Sequence, residues 1–328
     1  MPRKNPPTGT DKDLNLAELS RLFVNEDLAR QFLESKRWPN GAVCPHCGHA
    51  EAYTITAKPA KEGKRPARRG LYKCKLCRKQ FTVRVGTIFE ESKLPLGKWL
   101  MAIHLMTSSK KGVSSHQIAR ELGVTVKTGW FLTMRIREAM KQEPLAGMLT
   151  GRVEVDETYV GGKPRYKGKN PRGMGTKKQP VAVLVERNGN AVAMPVAQVT
   201  GLTMKGEIHK IVAEDAAIFT DEGTWYQGLG TEFLGGHHTV KHKAKEYVRY
   251  DSNGAVFATT NTAESFFALL KRGHYGIFHQ LSKRHLPRYT DEFTFRWNWR
   301  KVTDGERMAA AIMGTEGKRL KYKQPTNP

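Results

Sequence analysis

All four cysteines of the chain fall in two C-x-x-C pairs, Cys44-Pro45-His46-Cys47 and Cys74-Lys75-Leu76-Cys77. Each knuckle supplies two sulfurs at tetrahedral spacing, and the loop between them closes the module. Cys44, Cys47, Cys74 and Cys77 are therefore expected to hold one structural Zn2+. A module of this size depends on its metal to fold, which fixes one part of the molecule as a zinc ribbon. Two disulfides or a redox pair are the alternative, and they suit an oxidising compartment better than the cytosol. His46 and His49 could each replace a thiolate, but four cysteines already complete the shell.

The loop between the knuckles carries Lys58, Lys61, Lys64, Arg65, Arg68, Arg69 and Lys73 against only Glu51 and Glu62, a composition suited to phosphate contact. The same imbalance runs through the whole chain, where Lys+Arg 55 against Asp+Glu 31 gives a formal net charge of +24. A field of that sign attracts a polyanion, with nucleic acid expected ahead of an anionic membrane surface. No stretch approaches the roughly 18 consecutive apolar residues of a membrane span, and no signal peptide opens the chain. A soluble protein of the cytoplasm is expected.

Residues 1–13 are polar and Pro-rich and read as a disordered arm. From Leu14 to about Ser35 apolar residues recur at helical spacing with a break near Asn25, fitting one or two short helices. Phe81 to Phe89 alternates as a strand closing the ribbon. A helix is expected from Pro95 through Met106. Ser114 or Ser115 can cap a second that runs to Leu122, Gly123 supplies a tight turn, and Thr125 can cap a third carrying Lys127, Arg135 and Arg137. This is a helix-turn-helix pattern, though a generic helical hairpin would look similar.

After Pro144 the composition shifts to strands. Arg152–Val160, Pro180–Glu186 and Ala191–Val199 are β-rich, and Asn188-Gly189 favours a type I′ turn between the last two. The Gly-, Lys-, Arg- and Pro-rich loop from Gly161 to Gln179 includes Lys163 and reads as an anion-binding segment. Helix at Thr203–Glu214, strand at Ala216–Thr220, strand at His237–Lys241 and helix at Thr262–Arg272 complete the order of a ribonuclease-H-like α/β domain.

Within Arg152–Asp156 the alternation puts Glu154 and Asp156 on one strand face, with Val153 and Val155 on the other. A carboxylate on a central strand is costly unless paired or bound to a cation, which makes Asp156 a candidate metal ligand. In the expected topology Asp221 follows the fourth strand and Glu264 opens the late helix. Three acids from three elements can hold two Mg2+ (or Mn2+) about 3.5–4 Å apart. Glu157 and Glu222 sit beside two of them and could be the ligands instead. Asn261-Thr262-Ala263-Glu264 has capping-box spacing, so Glu264 could instead satisfy a helix N-terminus. Lys271 lies seven residues beyond Glu264, nearly two turns, and shares its face.

The segments V-D-E-T-Y-V-G-G-K, F-T-D-E, G-G-H-H-T-V-K-H and the run from Thr260 to Arg300 resemble the bacterial insertion-sequence transposases that join a zinc ribbon to a DDE catalytic domain. The resemblance covers roughly residues 18–300. It agrees with the division read from the residues, a multidomain α+β protein: arm and short helices over 1–40, zinc ribbon over 41–94, helix-turn-helix over 95–143, ribonuclease-H-like domain over 148–300 and a basic tail over 301–328. It maps the catalytic acids to Asp156, Asp221 and Glu264, followed by the family's lysine at Lys271. Lys243 stands where relatives often have Ser, and His237, His238 and His242 receive no assigned role. The implied activity is binding of terminal inverted repeats, Mg2+-dependent cleavage and joining of the 3′-OH ends to target DNA, in a homo-oligomer assembled on double-stranded DNA at the bacterial nucleoid. Arg65, Arg68, Arg69, Lys127, Arg135, Lys163 and Lys271 are the expected DNA contacts. A non-catalytic zinc-ribbon regulator and a structure-specific nuclease on the same fold are the rival readings.

Overall fold

The computed structural model describes residues 16–56, 69–142, 148–161, 178–241, 244, 246, 248–250, 252, 256–321 and 323–326. The chain is mixed α/β and divides into two compact units: residues 1–140 with 301–328, and residues 141–300. No helix among the described residues is long and apolar enough to cross a membrane.

The first unit opens with α1 (Leu16–Val24) and α2 (Glu26–Arg37). Asn25 separates them because its side-chain oxygen accepts from the N–H groups of Asp27 and Leu28, capping α2. Strands β1 (Ala52–Ile55), β2 (Leu71–Cys74) and β3 (Gln80–Phe81) form an antiparallel ribbon. Trp38 from the end of α2 packs edge-on against Tyr72 and Phe81.

The strand expected over Phe81–Phe89 stops at Phe81. Beyond it the chain closes turns from Val85 N–H to the Thr82 carbonyl and from Glu90 N–H to the Thr87 carbonyl. Gly86 takes a left-handed φ of 72°, and the Arg84 guanidinium draws in the carbonyls of Ser92 and Leu94. Val83, Ile88 and Phe89 still bury their side chains, so alternation here reports burial without a ladder.

Then come α3 (Leu96–Ser108), α4 (Ser115–Leu122) and α5 (Val126–Met140). Ser114 caps α4 by accepting from the Gln117 N–H at 3.1 Å. Gly123 ends it in the left-handed region (φ 59°), where a Cβ would be strained. Thr125 accepts from the Thr128 N–H to start α5.

The second unit is built on a five-stranded sheet. Its strands are β4 (Arg152–Val160), β5 (Gln179–Glu186), β6 (Ala191–Pro195), β7 (Ala217–Thr220) and β8 (His237–Thr239), in the order β6-β5-β4-β7-β8. The β4–β5 and β5–β6 pairs are antiparallel, and β4–β7 and β7–β8 are parallel. Between β6 and β7 runs α6 (Gly201–Ile211), whose Met204, Ile208 and Ile211 join Val153, Val155, Leu184 and Ile218 in one buried cluster. A short hairpin, β9 (Val248–Tyr250) with β10 (Val256–Thr259), leads to α7 (Asn261–Gly273), and α8 (Leu286–Asn298) follows. Phe266, Phe267 and Leu270 of α7 and Phe293 of α8 pack on Val181, Val183 and Val185 to form a second cluster. The two clusters use opposite faces of the sheet.

The turn between β5 and β6 differs from the expected Asn188-Gly189 type I′. It closes from Gly189 N–H to the Glu186 carbonyl, so Arg187 and Asn188 are its central residues, with Asn188 at φ 66°. Tertiary bonds select this register: the Arg187 N–H is bound to the Arg152 carbonyl, and its guanidinium reaches Glu154 at 3.1 Å.

Residues 301–328, a basic tail by composition, contribute α9 (Asp304–Met313) to the first unit. Thr303 and Glu306 make a reciprocal capping box at its start, and Met308, Ala311 and Ile312 are buried.

Candidate functional site

In the ribbon the four cysteine sulfurs lie within 4.8 Å of one another. The Cys44–Cys77 and Cys47–Cys74 sulfur pairs are each 3.6 Å apart. Four sulfurs bound at ~2.3 Å to one Zn2+ would stand roughly 3.8 Å apart, so the quartet fits a tetrahedral thiolate site. Each knuckle folds alike: the residue after the second cysteine, Gly48 in one and Arg78 in the other, has a left-handed φ of 75° and 61° respectively. The Cys77 N–H points at the Cys74 sulfur, at 3.4 Å.

In the second unit, Glu154 and Asp156 pair in register with Val185 and Val183, whose side chains belong to the α7 face of the sheet. Val155 and Glu157 pair with Leu184 and Ala182 on the opposite face. Alternation of strand β4 thus sends Asp156 toward α7 and Glu157 away from it. Asp221 follows β7, which lies parallel to Arg152–Glu154, and its carboxylate accepts from the Gly223 N–H at 2.9 Å. Glu264 is an exposed residue in the first turn of α7.

These acids share one electrostatic environment. Burial first, then the charge of Glu157 and, more weakly, those of Asp221 and Glu264, push the half-buried Asp156 carboxyl up to about 8, against one bond from the Glu157 N–H. Among the described residues, none of Asp156, Asp221 and Glu264 makes a salt bridge. Like-charged carboxylates gathered without a countercation are a donor set suited to a hard divalent ion such as Mg2+. They are spread more widely than the cysteines, which are the one metal-sized group of such side chains among the described residues.

Glu157 is also pushed up, to about 7, mainly by burial, against a bond donated by the Tyr226 hydroxyl at 2.7 Å. Tyr226 is fully buried, so this face carries a hydrogen-bonded pair that sequence spacing does not reveal. Glu222 is half-buried beside Asp221.

The capping-box reading of Glu264 does not hold. Asn261, the cap of that box, is itself the first residue of α7, its N–H donating to the Thr259 hydroxyl at 3.1 Å, and the actual cap residue, Thr260, makes no side-chain cap bond. The N–H groups of Thr262 and Ala263 instead donate to Glu154 of β4, at 2.7 and 3.1 Å. Lys271 is exposed two turns on, its ammonium 5.8 Å from the Phe267 ring centre.

His237 lies in β8 with its Nε2 2.8 Å from the Thr220 hydroxyl, which itself donates to the Asp221 carbonyl at 2.7 Å. The His238 ring packs on Phe219 and Phe257. His242, Lys163, Arg65 and Arg68 lie outside the described residues. Arg69 is exposed and paired with Asp27, and Lys127 is exposed on α5.

Arg135, expected to reach DNA, is buried. Its guanidinium donates to the Glu90 carbonyl at 3.0 Å and lies over the rings of Trp99 and Phe131. The expectation followed from its place on α5, but Trp99 of α3 and Phe131, one turn earlier on α5 itself, cover it.

Two protein families match the chain: the ISXO2-like transposase domain over residues 148–298 and the transposase zinc-ribbon domain over residues 24–80. A protein described as uncharacterised, in transposable element ISH50 of Halobacterium salinarum (strain ATCC 700922 / JCM 11081 / NRC-1), is 30% identical over 292 residues, covering 84% of this chain and 92% of its own length. Among solved structures, the simian T-cell lymphotropic virus intasome in complex with PP2A regulatory subunit B56 gamma overlaps 54% of this chain and 63% of its own at 15% identity, with a TM-score of 0.26. The Drosophila P element transposase strand transfer complex overlaps 63% of this chain and 58% of its own at 15% identity, with a TM-score of 0.25.

Proposed function

Since the chain belongs to the insertion-sequence transposases with a zinc ribbon and an ISXO2-like transposase domain, we propose that it is a DDE transposase acting on double-stranded DNA, with Asp156, Asp221 and Glu264 as its catalytic acids. The observation that carries the reading is their convergence: three acids from β4, the end of β7 and the start of α7 lie close enough that Asp221 and Glu264 help to raise Asp156. The strand order β6-β5-β4-β7-β8, three antiparallel strands followed by two parallel ones, supports a ribonuclease-H-like catalytic domain. When bound there, Mg2+ or Mn2+ would activate the attacking oxygen and stabilise the leaving oxygen of a phosphodiester. The chain's own residues do the rest. The acids hold the ions on a rigid strand and a helix end, and exposed Lys271 offers a cation to a DNA phosphate from the same face of α7 as Glu264.

Four thiolates in the ribbon hold one structural Zn2+. The ribbon and the α4–turn–α5 pair, taken as a helix-turn-helix, recognise the element's terminal repeats, with Arg65, Arg68, Arg69, Lys127 and Lys163 as phosphate contacts. Arg135 is not among them. The protein acts as a homo-oligomer assembled on DNA, in the cytoplasm at the nucleoid.

The test is a strand-transfer assay with purified protein and DNA from the ends of the encoding element. Asp156→Asn, Asp221→Asn and Glu264→Gln should each abolish cleavage and joining, by several kcal/mol of transition-state stabilisation, and leave repeat binding intact. Repeat binding with no Mg2+-dependent cleavage by the unaltered protein would favour a regulator, and cleavage indifferent to the repeats would favour a nuclease.

A further inference from the structure

We propose that Glu154 is a positioning residue, fixing where Glu264 stands relative to Asp156. Its side chain has no exposed surface, yet both oxygens are occupied. One accepts from the N–H groups of Thr262 and Ala263, and the other from the Thr262 hydroxyl at 2.9 Å and Arg187 Nε at 3.1 Å. These amides are among the first four of α7, which lack partners inside the helix. A carboxylate at that end also meets the positive pole of the helix dipole.

The arrangement spans the active centre with few intervening bonds. Glu154 lies two residues before Asp156 on the same face of β4, and Ala263 lies one residue before Glu264 in the first turn of α7. The bond between them is therefore a brace from one proposed metal ligand to another. Arg187 extends it: its guanidinium also donates to the carbonyls of Phe257 and Thr259 in β10, the strand that leads into α7, and lies 4.9 Å from the Phe219 ring centre. Strand, helix and lead-in are thus held by one buried ion pair. Sliding or rotating α7 breaks its three bonds to a carboxylate that has no exposed surface.

Glutamine is an informative probe because it keeps the shape and reverses the chemistry. Each oxygen of Glu154 faces at least one N–H, so whichever way the amide is turned its NH2 meets an N–H donor; only the Thr262 hydroxyl could turn to accept. Thr262→Val is milder, deleting one bond of the four.

The proposal rests on the reading of Asp156, Asp221 and Glu264 as metal-holding acids, and the experiment separates the two. Mn2+ binding to the full-length, zinc-loaded protein is measured by calorimetry, with the melting temperature recorded in parallel. Glu154→Gln should weaken Mn2+ binding roughly 10–100-fold, as loss of a group that orients a ligand does, and Thr262→Val should weaken it less. Glu292→Gln, which breaks the buried pair with Arg296 in the same unit, should lower the melting temperature and leave Mn2+ affinity unchanged. Wild-type Mn2+ affinity in a folded Glu154→Gln protein overturns the proposal. If that variant does not fold, wild-type affinity in Thr262→Val overturns it. Absence of any Mn2+ site sensitive to Asp156→Asn in the unaltered protein overturns the reading of the acids, and this proposal with it.

Discussion

Asp156 and Glu157 are neighbours in sequence on opposite faces of one strand, and both resist ionisation. In an unfolded chain they would titrate near 3.9 and 4.3; in the fold they are pushed up to about 8 and about 7. Between about pH 4 and 8 the folded protein retains protons that the unfolded chain has released, so stability falls as pH rises through that window. The protonated acids contribute fully below about pH 4, and that contribution is gone above about pH 8. Without added divalent metal, the melting temperature of residues 141–300 within the intact protein should fall from about pH 5 to about pH 8, and Asp156→Asn should remove most of the decline. Calorimetry across that range is the check, and an identical slope in the variant would count against a raised Asp156.

At the scale of elements, the ribbon makes the sharpest forecast. Its three strands are short, and two of its buried residues are the ligands Cys44 and Cys74, so metal is the main source of its order. Cys74→Ser should lose zinc and unfold the ribbon while residues 141–300 keep their own melting transition, as read by elemental analysis and calorimetry. Zinc-free native protein would contradict the site. Elements whose signals are local were legible in the sequence: the Asn25 break, the Ser114 cap, the Gly123 turn and the alternation of Arg152–Asp156 each act within a few residues. Those decided by distant partners were not. The β5–β6 turn shifted because Arg187 has an engagement with Glu154, and α7 is capped by a residue 108 positions away. The sequence showed Glu154 on the same strand face as Asp156, and a second acid on a buried face is the signal that could have marked it. Nothing in spacing alone distinguishes Glu264 as a cap from Glu264 near enough to help raise Asp156.

For the molecule as a whole, charge would set the terms of the proposed DNA binding. With +24 spread along the chain, affinity should fall steeply with salt as phosphate neutralisation releases counterions. Replacing Arg65, Arg68 and Arg69 together by Ala should flatten the slope of log K against log salt by up to about 3, at about 0.9 for each phosphate no longer neutralised. An unchanged slope would mean that this loop faces away from DNA. The division of the chain has a further consequence, for synthesis. Helix α9, which buries Met308, Ala311 and Ile312 in the first unit, is encoded after the whole of the second. A ribosome working from the N-terminus therefore delivers the sheet and its acids before the first unit can close, and a product interrupted before residue 304 would carry the acids with its first unit unfinished. Completion of the N-terminal unit is in this way a check that the message has been read through the whole of the second unit.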